Sequence, residues 1–269
     1  KEFRTWEEDE SPYRVVSGLF RDLGIAGGKV GIDERVRFFL YDGIKKEASA
    51  IEYVTAVPVT AGCRMIKSPA EIALMQKAND VTIMAYKNTV AALKEGMTPA
   101  DFETTCSAAF QALGFKGGAD ANFGKASALP HGSLQPQKLK EGDIVLMDGG
   151  CNIEGYQSDI SRTVVFGKPT PRQRDIWNLA RKAQDAALAA AKVGATCESV
   201  DAAARKIITD GGFGPDYKLP GLPHRTGHGI GLDFHEWTNL VRGNKTLIRP
   251  GMCFSNEPMV AIPGEFGVR

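Results

Sequence analysis

The sequence has 269 residues, 43% of them apolar, and a formal net charge of +1. That length suits one large domain or two modest ones, with ample material for a core. Acids and bases are mixed, with no basic block or acidic tail to suit nucleic acid, and no apolar run is long enough to span a bilayer.

Five cysteines, at positions 63, 106, 151, 197 and 253, are scattered and form no CxxC pair. They suggest neither a disulfide framework nor a thiolate zinc site, but reduced thiols in a cytoplasmic protein. The sequence opens on Lys1, without an initiator methionine, and ends at Arg269 without a closing element. We expect pieces missing at both ends, which leaves room for a removed signal peptide.

In chain order, residues 1–66 read as α/β material. "SPYRVVSGLFRDLG" offers Ser11 as a helix cap, Pro12 at the first helical position and a stop at Gly24. "KVGID" suits a short strand, "VRFFLYDGIKK" a helix, and "VTAVPVT" follows. This is too little for a self-sufficient domain and reads as the tail of a larger one. The character changes near Lys67. Ser68, Pro69 and Glu71 make a capping box with proline at the first helical position, and Gly96 ends the run. Ile72, Met75, Val81 and Met84 are its expected apolar face. Thr98-Pro99 with Asp101, and Thr170-Pro171, open two more helices, which stop at Gly114 and Gly194.

An internal repeat is the most informative feature. Ala91–Phe115 aligns without a gap on Ala189–Phe213, and the Lys94/Lys192, Gly96/Gly194, Thr98/Thr196, Gly114/Gly212 and Phe115/Phe213 pairs coincide. Punctuation common to any two capped helices explains part of this. The repeat then continues: "EGDIVLMD" and "PGMCFSNE" each place an acid six residues after a glycine, Asp148 after Gly142 and Glu257 after Gly251, in strand-like alternation. His131 precedes the first acid, and His224, His228 and His235 precede the second. A duplicated helix–helix–strand unit follows, with a carboxylate-bearing strand in each half and room for a site between them.

The chemistry begins at "MDGGCNIEGYQSD", which reads as a hairpin with Asp148 and Asp159 near each other on paired strands. Ile144, Leu146 and Asp148 share one face by period two, as do Asp159, Ser161 and Thr163. Two inward acids beside aliphatic residues must share a proton, pair with a base or bind a cation. In "HRTGHGIGLDFHE" the glycines flanking His228 permit close backbone approach and suit an imidazole ligand. With Glu257, the candidate ligands are Asp148, Asp159, His228 and Glu257. Oxygen donors with one imidazole and no thiolate favour Mn²⁺, Fe²⁺, Co²⁺ or Zn²⁺, and several carboxylates suggest two ions about 3.5–4 Å apart. His131, His224 and His235 remain to position substrate and move protons. Arg242 could hold a substrate carboxylate, although a solvated loop arginine is the plainer reading.

These residues resemble the creatinase/aminopeptidase P/prolidase/methionine aminopeptidase family, the pita-bread metallopeptidases. The resemblance covers residues 67–269 and rests on "MDGGCNIEGYQSDISRT", "HRTGHGIGLDFHE" and "PGMCFSNEPMVAIPGEFGVR", which occur in the family's order. His224, four residues before His228, fits the Xaa-Pro aminopeptidase and dipeptidase branch. Phe234 departs from it, standing where a small β-branched residue is usual.

The resemblance implies an α+β pita-bread fold with an internal pseudo-twofold repeat in residues 67–269, truncated at its C-terminus. Residues 1–66 would be the C-terminal part of an α/β N-terminal domain. Asp148, Asp159, His228 and Glu257 would be four of five ligands to two divalent ions, with Mn²⁺ first among them. The fifth, a Glu two residues after "GVR", would lie beyond Arg269. His131 would contact the reacting group, His235 would stabilise the oxyanion and the leaving amine, and His224 would face the substrate. Hydrolysis of peptides at the Xaa-Pro bond is the implied activity, in a homodimer or higher homo-oligomer, with neither nucleic acid nor membrane as partner. A creatinase-like hydrolase without metal would have substituted ligands, and a non-catalytic pita-bread binding module would have lost ligands and gained extensions. Neither pattern is present in this sequence.

Overall fold

Proline and hydroxyl residues place the helices. In the computed structural model, which describes residues 3–129 and 132–269, the chain divides into two compact units, Lys1–Arg64 and Met65–Arg269.

The smaller unit runs α1 (Pro12–Asp22), β1 (Gly28–Ile32), α2 (Phe38–Glu47), β2 (Ile51–Thr55) and α3 (Val57–Arg64). β1 and β2 pair in parallel, from Gly28 opposite Ile51 to Ile32 opposite Thr55. A parallel pair needs a crossover, and α2 supplies it. Ser11 occupies the cap position of α1, but its side chain makes no capping hydrogen bond. "VTAVPVT" divides between the end of β2 and the start of α3.

The larger unit begins with α4 (Pro69–Ala91) and α5 (Pro99–Ala112). Both carry a complete capping box, Ser68 with Glu71 and Thr98 with Asp101. The expected face of α4 needs correction. Met75 and Val81 are buried, but Ile72 and Met84 are 41% and 50% exposed. The buried stripe instead carries Ala78, Thr82, Ala85, Tyr86 and Thr89. Its threonines tolerate burial because their hydroxyls donate back to the carbonyls of Ala78 and Ala85, at 2.9 and 2.8 Å.

Next come β3 (Gly117–Phe123), β4 (Ile144–Ile153), β5 (Tyr156–Gln157) and β6 (Ile160–Val165). β4 pairs antiparallel with β3, with β5 and with β6. Its run "IVLM" is apolar on both faces, and period two divides it between two cores. Val145 and Met147 join Phe102 and Phe110 beneath α4 and α5. Ile144 and Leu146 join Ala183, Ala187, Ala204 and Val260, around α6 (Pro171–Ala190) and α7 (Cys197–Asp210). Asp148 lies on the latter face. The chain continues through β7 (Gly227–Gly229), β8 (Glu236–Leu240), β9 (Val260–Ile262) and β10 (Phe266–Val268).

The repeat is physical. α5 spans 99–112 and α7 spans 197–210, an offset of 98 at both ends. In the first half the Gly96 N–H donates to the Leu139 carbonyl and the Leu139 N–H to Met97. In the second, Gly194 donates to Ile248 and Ile248 to Ala195. Each helix pair is thus pinned in the same way to the segment leading to its acid. No described helix is long and apolar enough to cross a membrane.

Ser68→Ala removes one half of the α4 capping box. It is expected to destabilise the larger unit by about 1 kcal/mol, seen as a lower urea midpoint at an unchanged denaturant slope.

Candidate active site

The hairpin that carries the two aspartates is registered so that they do not face each other. Asp148 on β4 stands opposite Ser161 on β6, whose hydroxyl donates to Asp148 Oδ1 at 2.6 Å. Asp159 lies just before β6, two residues from Ser161. The expected pair of acids on paired strands is therefore a diagonal pair, and the acid directly opposite Asp148 is Asp120 on β3, not Asp159.

His228 is the middle residue of β7. A Cβ on Gly227 would stand 2.0 Å from the Ser255 carbonyl oxygen, and one on Gly229 2.7 Å from that of Glu236. Only glycine admits these approaches. Glu257 was expected on a strand. It lies instead in an extended segment before β9, joined to its neighbours by isolated bridges. That segment still runs antiparallel along β7. Ser255 N–H donates to the His228 carbonyl at 2.8 Å, and Glu257 N–H to that of Thr226 at 2.9 Å. The His228 N–H turns to the Ser255 hydroxyl at 3.0 Å, which interrupts the ladder, and the same hydroxyl lies 3.0 Å from Glu257 Oε1.

The four predicted ligands come together. His228 Nε2 is 3.2 Å from Asp159 Oδ2 and 3.1 Å from Glu257 Oε1. Arg269, just past β10, ties in the fourth: its guanidinium is 2.5 Å from Asp148 Oδ2 and 3.6 Å from Glu257 Oε2. The Arg269 backbone is clipped to β6 through the Thr163 hydroxyl, at 2.9 and 3.1 Å.

Burial opposes a charge on His228, yet its hydrogen bonds to Asp159 and Glu257 outweigh that and raise the imidazole to about 9. Burial likewise disfavours the Glu257 carboxylate, but His228 and Arg269 hold it down at about 2. An acid held that low is a weak proton acceptor, which suits a ligand better than a general base. Burial pushes Asp148 up, against the pull of Arg269 and Ser161.

Among the described residues, no three His, Cys, Asp or Glu side chains already close around one point as a finished metal centre. In this arrangement the imidazole and the Arg269 guanidinium supply the positive charge. The donor chemistry nevertheless fits a divalent cation. His228 Nδ1 is 2.9 Å from the Gly229 carbonyl oxygen, which can only accept, so Nδ1 carries a proton. Nε2 then faces two carboxylates, either as an imidazolium or with its lone pair directed to a cation they share.

A cavity of about 460 Å³ opens on these groups and is also lined by His224, Arg225, His235, Asn239 and Val241. His235 packs edge-on against His228, ring centroids 4.1 Å apart. Burial, then the charges of His228 and Arg225, keep His235 below the usual histidine range. His224 is lowered by burial. Its Nδ1 meets the Arg225 carbonyl at 2.7 Å, and its buried Nε2 has no hydrogen-bond partner among the described residues. His131 lies outside the described residues. Arg242 points away from the role considered for it: it pairs with Asp216 at 2.5 Å and stacks over Tyr217.

Sequence reading missed the supports. A buried Asp201–Arg205 pair on α7 holds the His224 segment. Asp201 Oδ1 accepts from the Thr226 N–H and hydroxyl, and Arg205 donates to the His224 carbonyl at 2.5 Å. The i,i+4 spacing of an acid and an arginine was the available signal. Lys67 and Glu236 form a second buried pair at 2.9 Å, their side chains 3% and 6% exposed. Glu236 also accepts from the Leu232 N–H at 2.8 Å, fixing the loop that presents His235.

Comparison with known proteins gives the family and the fold. The metallopeptidase family M24 profile matches residues 73–269, and the chain belongs to that family. It is 37% identical over 272 residues to an uncharacterized peptidase of Schizosaccharomyces pombe, covering 98% of this chain and 58% of that one. It is 39% identical over 215 residues to an Xaa-Pro dipeptidase of Lactobacillus delbrueckii subsp. lactis, covering 78% of this chain and 56% of the relative. The chain thus spans little more than half the length of these two relatives. Among solved structures, a dipeptidase from Pyrococcus horikoshii superposes with a TM-score of 0.91 at 28% identity, over 99% of this chain and 74% of that one. The fold is the α+β pita-bread fold expected from the motifs.

Lys67→Ala removes a charged partner of the buried Glu236 carboxylate. A loss of roughly 3–5 kcal/mol is expected, measured as the change in unfolding free energy by urea titration.

Proposed function

We propose that this protein is a metal-dependent peptidase acting at Xaa-Pro bonds. Asp148, Asp159, His228 and Glu257 would hold two divalent ions, with Mn²⁺ the first choice and Co²⁺, Zn²⁺ or Fe²⁺ the alternatives. The observation that carries the reading is the meeting of His228 Nε2 with Asp159 and Glu257, at 3.2 and 3.1 Å, on a cavity shared with Asp148. In this reading residues 1–66 belong to an α/β N-terminal domain and 67–269 to the catalytic domain. A homodimer and a cytoplasmic location are part of the same proposal and rest on the resemblance and on the free cysteines.

Bound divalent ions would supply a Lewis acid that polarises the scissile carbonyl and brings the pKa of water to roughly 7. The chain's own groups provide the rest. Ser161, Ser255 and the Gly229 carbonyl orient the ligands. His235, neutral near pH 7 and packed on His228, can hydrogen-bond the developing oxyanion, or accept the attacking water's proton and then pass it to the leaving imino nitrogen. His131 shares that proton relay. His224, its Nδ1–H committed to a backbone carbonyl, offers the Nε2 lone pair to a substrate N–H.

Chelator treatment is expected to abolish hydrolysis of Xaa-Pro peptides, and Mn²⁺ or Co²⁺ to restore it. Asp159→Asn should lose metal, read by elemental analysis and calorimetry. Full hydrolysis by metal-stripped protein held in chelator would overturn the proposal.

A further inference from the structure

Alternation along β3 divides its side chains between the core and the site. Ala119, Ala121 and Phe123 are buried with Val145 and Met147 beneath α4 and α5. By period two, Asp120 and Asn122 take the other face, the one on which β4 carries Leu146 and Asp148. Asp120 stands directly opposite Asp148, and Asn122 opposite Leu146. One row on the site's face thus crosses three strands: Asp120, Asp148 and Ser161.

The members of this face are not equally engaged. Asp148 accepts from the Ser161 hydroxyl and pairs with the Arg269 guanidinium. Asn122 accepts from Gln137 Nε2 at 3.4 Å. Asp120 is exposed, and among the described residues no hydrogen bond or ion pair engages its carboxylate. Like charges directly opposite each other on a ladder repel. A cation seated beside Asp120 offsets that repulsion, so the position favours a positively charged group on the ligand.

Reach decides which group. Neighbouring strands lie about 4.8 Å apart, so Asp120 sits roughly one strand spacing beyond the candidate ligand Asp148. A peptide whose scissile carbonyl is held among the four candidate ligands keeps its α-ammonium within one residue of them. The charge of a lysine or arginine side chain, at the end of a flexible stem, extends one strand further.

We propose that Asp120 is a specificity-determining residue that pairs with a lysine or arginine side chain on the N-terminal side of the scissile bond, so that Lys-Pro and Arg-Pro substrates are preferred to apolar ones. The inference rests on the peptidase reading above and names a side chain that the site selects.

The test compares Lys-Pro with norleucine-Pro, which keeps the stem and lacks the ammonium, each also extended by one alanine, on Mn²⁺-loaded protein. In the wild type at low salt, kcat/KM for the lysine peptide should exceed that for its norleucine partner by about 3- to 5-fold, the worth of an exposed pair. The difference should lie mainly in KM and shrink as ionic strength rises. Asp120→Asn should bring the ratio to about one, Asp120→Lys should invert it and Asp120→Glu should retain it. In metal-stripped protein, Asp120→Asn should leave the urea midpoint level or raise it, because it removes a like-charge contact. A wild-type ratio near one at low salt, the wild-type ratio persisting in folded Asp120→Asn protein, or a lowered midpoint that marks Asp120 as structural overturns the assignment and leaves the peptidase reading standing. A wild type that cleaves none of the four peptides overturns both.

Discussion

Asp148, Asp159, Glu257 and His228 share a cavity, and the larger unit is built around keeping them there. Acids brought this close must protonate, disperse or meet positive charge. The sheet register takes the first step by setting Asp148 opposite Ser161 and displacing Asp159 by two residues. The hydroxyls of Ser161 and Ser255 then satisfy one oxygen on Asp148 and one on Glu257. His228 and Arg269 supply the charge that remains necessary. Each support is short-ranged and directional, so it fixes the orientation of the side chain it touches.

The duplicated unit explains how residues more than a hundred positions apart reach one point. Both helix pairs dock through the same pair of backbone hydrogen bonds, Gly96 and Met97 on Leu139 and Gly194 and Ala195 on Ile248. After that anchor the acid follows at the same distance in each half, nine residues on, at Asp148 and at Glu257. The halves then diverge. β4 is a ten-residue strand buried on both faces, whereas the Glu257 segment is an extended run held to β7. That irregularity lets the Ser255 hydroxyl, in place of a backbone carbonyl, receive the His228 N–H and also approach Glu257.

What the sequence made legible follows the range of the forces involved. Helix starts at Ser68, Thr98 and Thr170 were readable because a capping box is complete within four residues. The four candidate ligands were readable because their motifs combine unusual residue types at fixed spacing. The buried face of α4 was misjudged at Ile72 and Met84, since hydropathy does not register threonines that return their hydroxyls to the helix backbone. Glu257 was placed on a strand because alternation cannot reveal that a side chain will take one of the ladder's donors. Arg269, Ser255, Arg205 and Lys67 were not picked out at all. Their partners lie far away in sequence, apart from the local Asp201–Arg205 and Ser255–Glu257 contacts, and nothing in composition marks which arginine will be tied down.

That last point bears on specificity. An arginine's identity says only that it carries a positive charge and a planar fork of donors. Whether it is structure or recognition depends on whether the fold supplies an acid within reach. Asp216 takes Arg242, Asp201 takes Arg205, and Asp148 with Glu257 takes Arg269. Arg225 sits between two clamped neighbours on the wall of the same cavity, and the described structure gives its guanidinium no acid. Which arginines are tied down is thus decided by where the fold places its acids, independently of the motifs that carry the four candidate ligands.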